Sequence, residues 1–414
     1  MDNLIIKEIK KDNNKAIITY EKNGKWNDCL NGNEFFCSYD CNIDDVPDSI
    51  LIIPFLCNVL PISWVLNLSI SVNMIEKVFN DSIPEIIKGY KQMYPEVDFK
   101  SKLKYNNVED LNETRIEKSS VLFSGGVDAT CTLFRHLDER PDIITVFGSD
   151  IKLDDENGIK CVDGLNRKTA KDLNINYTNI YSNFRDIMNY KTLTDYVRMI
   201  GNYEWWHEFQ HGIGLIGLVA PLSYVNGYTT VYIASSYCAT QKGEYKCASD
   251  PLIDNKLKYG FTETNHDGYE LNRQDKIELI CNYKKNNNID NVLLRVCWEN
   301  TVNGKNCCHC EKCYRTMLGL MVEKENPNDY YFVFDDKCRK RMIKFLKREL
   351  KYKTGSYLQL YVPIQEKLNN MSSVPNDLKW LKNYNIGVKT PGLLYFYKKK
   401  IYKKINDILK QIKK

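Results

Sequence analysis

The segment VLFSGGVDAT, residues 121–130, constrains the fold more than any other part of the sequence. A short apolar run ends in two adjacent glycines, and a helix-forming stretch follows at once. Adjacent glycines let the backbone take positive φ and approach a ligand closely, while the first turn of the next helix presents unpaired amides. The segment therefore predicts a strand, a phosphate-binding turn and a helix, in that order.

The alternation of strand and helix continues downstream of Ser119. The predicted strands are SVLF, IITVFGS, INYTNIY and TTVYIASS, and the predicted helices cover 129–137, 157–173 and 211–224. Strands separated by helices favour an α/β fold with a doubly wound parallel sheet. Ligands of such sheets bind at the carboxyl ends of the strands, where the strand order reverses.

Three regions are predicted along the chain. Residues 1–115 are expected to form an N-terminal α+β unit, with the polar segment 104–118 as a linker. Residues 119–325 hold the strand–helix alternation, and residues 330–414 are predicted to be helical and basic. The apolar stretch 50–72 is long enough to test as a membrane span, but two prolines interrupt it, so buried helix and strand pieces are favoured.

Charge is concentrated at the C-terminal end. The formal net charge is +5, and residues 398–414 carry eight lysines against one aspartate. This distribution argues against a nucleic-acid groove along the whole protein and leaves a weak anionic partner for the tail. Four isoleucines at helical spacing also allow the tail to pack on its own protein, on a membrane or on RNA.

Fifteen cysteines occur in a long chain that shows no secretory signal pattern, so reduced thiols and a cytoplasmic location are expected. Four of them, Cys297, Cys307, Cys310 and Cys313, have the spacing of a zinc knuckle. Four thiolates close a tetrahedral site and leave no position for catalytic water. Cys308 is interpreted as the spare cysteine, and His309 as a neighbour that does not bind metal.

The SGGVD turn resembles the SGGxDS loop of the PP-loop ATP pyrophosphatases. The resemblance implies an adenine nucleotide alpha hydrolase-like fold and cleavage of ATP between the α and β phosphates, with Mg²⁺ as cofactor. Ala129 departs from the pattern, which has serine there, and Thr130 is an uncertain substitute. The residues that the resemblance assigns to ATP are Ser124, Gly125, Gly126, Val127, Asp128 and Thr130.

With the cysteine cluster included, residues 119–320 are similar to the 7-cyano-7-deazaguanine synthase family of the queuosine pathway. That family is a C–N ligase that adenylates a carboxylic acid and uses ammonia to form an amide and then a nitrile. The resemblance implies ATP, Mg²⁺ and Zn²⁺ as cofactors, with Asp128 and Lys276 as catalytic residues. Arg273 and Asp250 are weaker candidates for substrate binding.

Other functions remain open at this point. The same adenylation could join a deazaguanine-like or other acid to an amine on a protein, a sugar or a metabolite, which would add a protein partner. tRNA thiolation would need a reactive cysteine pair, for which Cys238 and Cys247 are candidates. A zinc-stapled nucleotide-binding protein without turnover is the non-enzymatic alternative, and a homodimer fits each of these functions.

The motif HEFQH, residues 207–211, matches the HExxH pattern of metalloproteases. It lies within the strand–helix alternation, and the chain has only five histidines, with no third ligand apparent. The protease interpretation is therefore disfavoured.

Overall fold

The computed structural model describes residues 2–111, 115–242, 246–297, 299 and 304–389. These described residues form an α/β structure around one sheet of eleven strands. The sheet is mostly parallel, because six of its ten strand pairings are parallel. The chain divides into two compact units, residues 1–332 and 333–414.

The strands are β1 (Asn3–Asp12), β2 (Lys15–Lys22), β3 (Glu34–Tyr39), β4 (Ser69–Glu76), β5 (Leu103–Glu109), β6 (Ser119–Leu122), β7 (Asp142–Phe147), β8 (Tyr177–Ser182), β9 (Thr230–Ala234), β10 (Lys258–Tyr259) and β11 (Thr262–Asp267). The helices of the first unit are α1 (Trp26–Cys29), α2 (Asp48–Leu51), α3 (Ile53–Leu66), α4 (Lys77–Met93), α5 (Val127–Arg135), α6 (Glu156–Leu173), α7 (Tyr190–Gly201), α8 (His211–Gly217), α9 (Ala220–Asn226), α10 (Pro251–Asp254), α11 (Arg273–Asn286) and α12 (Glu311–Val322). The second unit contains α13 (Asp336–Glu349), α14 (Ser356–Gln359) and α15 (Val362–Asn369).

The strand order reverses beside β6. Within the described sheet the order runs β10-β11-β9-β6-β7-β8-β3-β2-β1-β4-β5, so the chain moves from β6 to β7 and β8 on one side and returns to β9 on the other. Both β7 and β9 pair with β6 in parallel. A crevice at the carboxyl ends of β6 and β9 is therefore the position where this class of sheet binds ligands.

The N-terminal residues do not form the separate unit that the sequence suggested. Strand β3 pairs with β8 in antiparallel orientation, with Cys37 opposite Ser182, and this pairing joins β1–β5 to the rest of the sheet. The expected linker, residues 104–118, was also partly wrong, because β5 covers most of its first half. β5 is an edge strand whose side chains are mostly exposed, so it lacks the apolar alternation by which a strand is recognised.

The apolar stretch 50–72 forms the end of α2, the buried helix α3 and the start of β4. Pro61 lies inside α3 and does not end it. Helix α3 packs closely on α8, since a Cβ at Gly217 would come within 2.4 Å of Cys57 Cβ. Among the described residues, no helix combines the length and the apolar character that crossing a bilayer requires.

The second unit is small and helical in the residues that the structure describes. Its core is built from buried apolar side chains of α13, α15 and the segment after them, including Met342, Leu346, Ile364, Leu368 and Leu378. The lysine-rich tail, residues 390–414, lies outside the described residues.

Candidate functional site

The glycine turn connects β6 to α5 at the reversal point of the sheet. Gly125 has φ +73, a conformation that favours glycine, and α5 begins two residues later. The backbone N–H of Gly126 donates to Ser124 Oγ at 3.3 Å, and the side chain of Ser124 is exposed. No side chain caps α5, so its first backbone amides are available to a ligand.

Two cations from α11 hold the carboxylate of Asp128 in the first turn of α5. Arg273 Nη2 lies 2.9 Å from Asp128 Oδ2, and Lys276 Nζ lies 3.3 Å from Asp128 Oδ1. Burial raises the pKa of Asp128, but Arg273 and Lys276 outweigh burial and lower the pKa below its usual value. Asp128 is therefore ionised, and both of its oxygens have a cationic partner.

The start of α11 is fixed by a capping box. The side chain of Asn272 accepts from the backbone amides of Gln274 and Asp275, and Asp275 accepts from the amide of Asn272. Arg273 and Lys276 are three residues apart and so lie on the same face of the helix. The side chains of Arg273 and Lys276 are only 14% and 3% exposed. They therefore differ from the solvent-exposed basic residues that usually occur at the start of a surface helix.

Further cations approach the same place from the segment around α12. Lys312 interacts electrostatically with Asp128 and Arg273, and Arg315 interacts with Arg273 and pairs with Glu311. Burial lowers the pKa of Lys312 and of Arg273, in each case by disfavouring the charged form. Basic side chains outnumber acidic side chains in this group, so an anionic ligand would stabilise it.

Asp150 is a second acidic residue that interacts with this group of cations, and it was not identified from the sequence. It follows β7 as the glycine turn follows β6, and it interacts electrostatically with Arg295, Lys312 and His211. Its position just beyond the carboxyl end of a parallel strand is the signal that could have found it.

The four cysteines of the predicted knuckle come together. The Sγ atoms of Cys297, Cys307, Cys310 and Cys313 all lie within 4.8 Å of one another. The Cys297–Cys310 and Cys307–Cys313 sulfur distances are 4.0 and 3.9 Å. A tetrahedron of zinc–sulfur bonds near 2.3 Å has edges of about 3.8 Å, so the four sulfurs fit a zinc ion.

The neighbouring residues do not join this group. Cys308 is buried and points its thiol at the carbonyl of Asn306, and His309 Nδ1 lies 2.7 Å from the carbonyl of Cys307. Among the described residues, the four-cysteine group is the one set of histidines, cysteines and acids arranged to hold a metal ion. The cysteine spacing in the sequence therefore predicted the four sulfurs that come together and could hold a metal ion.

The metal centre and the glycine turn are linked through the backbone. The N–H of Arg295 donates to the carbonyl of Gly125 at 2.7 Å, and Cys297 is two residues further along. On the other side, Cys310 caps α12 by accepting from the amide of Cys313, and Lys312 lies in the first turn of that helix. A bound metal would thus fix both the segment that contacts the turn and the helix that carries Lys312.

A pocket lies beyond the carboxyl end of β9, next to the cation group. Lys276 Nζ, which contacts Asp128, also donates to the backbone carbonyl of Ser235 in the pocket wall. The residues that line it include Ser235, Tyr237, Cys238, Cys247, Asp250 and Tyr269. Asp250 was a weak candidate from the sequence; its side chain caps α10 at 2.8 Å from the amide of Leu252 and borders the pocket.

The remaining ATP candidates, Val127 and Thr130, have buried side chains, unlike Ser124. Val127 and Thr130 are buried at 1% and 2% exposure, and Thr130 Oγ1 makes no hydrogen bond within the described residues. Ala129, where the resembled loop has serine, is also buried. The side chain of Thr130 therefore belongs to the core beneath α5, and Val127 offers its backbone amide to the turn.

The HExxH residues are not arranged as a protease metal site. His207 and Glu208 lie on a π-helical turn, Trp206–Gln210, and His211 begins α8. His207 Nε2 lies 3.2 Å from the hydroxyl of Tyr237. The Nδ1 atoms of His207 and His211 lie 3.9 and 3.7 Å from the sulfur of Cys247. Burial lowers the pKa of His211 to about 4 and raises the pKa of Cys247, so both are neutral.

No protein-family model matches the chain, and no curated protein sequence is significantly similar to it.

Proposed function

We propose that the protein binds ATP at the glycine turn and transfers AMP to a carboxylic acid, with release of pyrophosphate. The observation that carries the proposal is the position of the SGGVD turn at the reversal point between β6 and β9, beside a group of buried cations. Uncapped amides of α5 and these cations are complementary to a polyphosphate.

The donor atoms fit the implied cofactors. Asp128 supplies carboxylate oxygen, the ligand type that Mg²⁺ prefers, and Gly125 lets the backbone approach a phosphate without a Cβ in the way. When bound, Mg²⁺ would supply positive charge that offsets the negative charge on the leaving pyrophosphate. The four sulfurs would hold Zn²⁺ in a structural role, since all four positions are protein ligands.

The residues of the chain supply binding and orientation. Lys276 contacts both Asp128 and the carbonyl of Ser235, so it lies between the phosphate turn and the pocket after β9. We infer that the acid binds on the side of Lys276 that faces Ser235. Lys276 and Arg273 would stabilise negative charge as it develops on pyrophosphate, without a protein nucleophile. An amine, ammonia in the resembled family, would then displace AMP to form an amide.

The test measures the products from ATP. Purified protein is incubated with ATP, Mg²⁺, 7-carboxy-7-deazaguanine and ammonia, and AMP, pyrophosphate and orthophosphate are quantified. We expect AMP and pyrophosphate in equal amounts, lost in Asp128→Asn. Formation of ADP and orthophosphate would contradict cleavage at the α-phosphate. AMP formation with a different acid would change the assigned substrate but not the proposed reaction.

A second candidate is a nucleotide-binding protein without turnover. The observation that favours it is the double pairing of Asp128 with Arg273 and Lys276, because these ion pairs compete with Mg²⁺ for the carboxylate. Equilibrium dialysis with labelled ATP separates the two candidates. Stoichiometric ATP binding with no pyrophosphate release for any acid tested would support the binding protein.

A further inference from the structure

Six exposed basic residues share one face of helix α13 in the second unit. The exposed basic residues of this helix are Lys337, Lys340, Arg341, Lys344, Lys347 and Arg348. At 100° per residue these six positions fall within an arc of about 120° and extend along roughly 16 Å of helix. The opposite side of the helix carries the buried residues Cys338, Met342 and Leu346.

This face belongs to a strongly basic unit. Residues 333–389 hold thirteen lysines and arginines against five aspartates and glutamates, a net charge of +8. Residues 1–332 hold 37 basic against 47 acidic residues, a net charge of −10. The near-neutral total of the whole chain therefore conceals two units of opposite sign.

Most of the face has no acidic partner. Arg348 pairs with Glu349 at 2.8 Å, and Lys347 lies 5.4 Å from the centre of the Trp380 ring. For Lys337, Lys340, Arg341 and Lys344, no ion pair occurs among the described residues. Such a concentration of unpaired like charge destabilises a helix, so an anionic ligand would relieve it.

The composition of the face identifies the chemistry of the ligand. A membrane-surface helix inserts its apolar side into lipid, but the apolar side of α13 is already buried within the protein. Protein interfaces are depleted in lysine and need apolar anchors, whereas the six residues of this arc are all lysine or arginine. Lysine and arginine alone are sufficient to neutralise nucleic-acid phosphates.

We propose that the exposed face of α13 binds the phosphodiester backbone of a nucleic acid. The inference is independent of the adenylation proposed above, because it uses no residue of the nucleotide site. Binding through phosphates alone depends on the charge of the nucleic acid and not on its base sequence. RNA and DNA have the same phosphodiester groups, so both are expected to bind.

The test is fluorescence anisotropy with labelled single strands of about 20 nucleotides, in RNA and DNA form, over roughly 50 to 200 mM NaCl. We expect wild-type protein to bind with an affinity that falls steeply with salt. The variant Lys337→Glu/Lys340→Glu/Lys344→Glu should bind at least about tenfold more weakly, with a salt slope shallower by about 2, since each phosphate contact contributes about 0.7 on a single strand.

The matched control reverses the charge at three exposed lysines of the first unit, Lys10→Glu/Lys104→Glu/Lys256→Glu. It therefore changes the net charge by the same amount as the α13 variant. It should bind like wild type, and a chain ending at Lys389 should retain binding that depends on α13. The proposal would be overturned if both triple variants bound nucleic acid equally weakly, or if only removal of the tail abolished binding. Tighter binding to polyglutamate than to either nucleic acid would also overturn it. Circular dichroism confirms that the variants are folded. Tighter binding to RNA than to DNA would identify RNA as the natural ligand.

Discussion

The guanidinium of Arg273 lies 2.9 Å from the carboxylate of Asp128, and Lys276 holds the other oxygen of the same carboxylate. The two cations come from α11 and the anion from α5, so these contacts fix the glycine turn relative to a helix that follows it by about 150 residues in the sequence. The stability of the fold and the charge of the candidate site therefore depend on the same three side chains.

The first prediction concerns this group. Asp128→Asn leaves two buried cations without their counter-ion and should lower the free energy of unfolding by about 3 kcal/mol. Urea denaturation followed by circular dichroism measures the effect. The control Asp138→Asn removes an exposed carboxylate and should change stability by less than about 0.5 kcal/mol. Equal unfolding midpoints for the two variants would show that the buried ion pairs contribute nothing.

The second prediction concerns the metal centre. Purified protein should contain one zinc per chain, and Cys310→Ser should lose it, because three thiolates no longer close the tetrahedron. Elemental analysis by mass spectrometry makes the measurement. Cys308→Ser is the matched control, since the Cys308 thiol points at a backbone carbonyl and not into the group. Retention of zinc by Cys310→Ser and its loss by Cys308→Ser would assign the ligands differently.

The third prediction separates backbone strain from ligand approach. Gly125→Ala puts a Cβ at a position with φ +73, where it meets Asn166 Oδ1 at 3.2 Å. Gly32→Ala has nearly the same backbone conformation, φ +65, but its Cβ meets nothing within 4 Å. Both should lose about 1 kcal/mol of stability from the left-handed conformation. Calorimetric titration should show that only Gly125→Ala weakens ATP binding, by about tenfold or more.

The fourth prediction is a pH dependence. Burial raises the pKa of Glu208 to about 7, from 4.5. The folded protein therefore keeps a proton that the unfolded chain releases, so the contribution of this group to stability is present below about pH 4.5 and is lost as the pH rises through 7. Glu208→Gln removes the titration and keeps an acceptor for the amide of Glu204.

The measurement for Glu208→Gln is the thermal midpoint across that pH range. At about pH 8 the variant should melt about 2 °C or more above wild type, and near pH 4.5 the two midpoints should converge. Parallel curves at all pH values would show that Glu208 does not titrate between these limits. Asp138→Asn serves again as the exposed control, with no change in the shape of the curve.

The sequence predicted the features that depend on local chemistry. The glycine pair after an apolar run gave the turn and the start of α5 within two residues, and cysteine spacing gave the four sulfurs of the metal centre. These features are local, because steric freedom at glycine and the reach of a thiolate are set by residues close together in the chain. The roles assigned to Asp128, Lys276, Arg273 and Asp250 remain predictions, although the structure places the first three in contact.

The features that the sequence did not give depend on long-range pairing. Nothing near Glu34–Tyr39 indicates that this strand will pair with Tyr177–Ser182, because register across a sheet is decided by the whole fold. Lys312 was missed for the same reason, since it reaches the site from a helix distant in sequence. Asp150 directly follows a predicted strand, so its position at the carboxyl end of that strand could have identified it. Thr130 was placed at the turn by its position in the motif, whereas its side chain packs inward as its place in α5 dictates.

The antiparallel pairing of β3 with β8 has a consequence for biosynthesis. While the chain emerges from the ribosome, the edge of β3 stays open until about 140 further residues have been made. An unpaired strand edge is a template for aggregation, and contacts this far apart in sequence form slowly. Early engagement by a chaperone would shield that edge until β8 has been made.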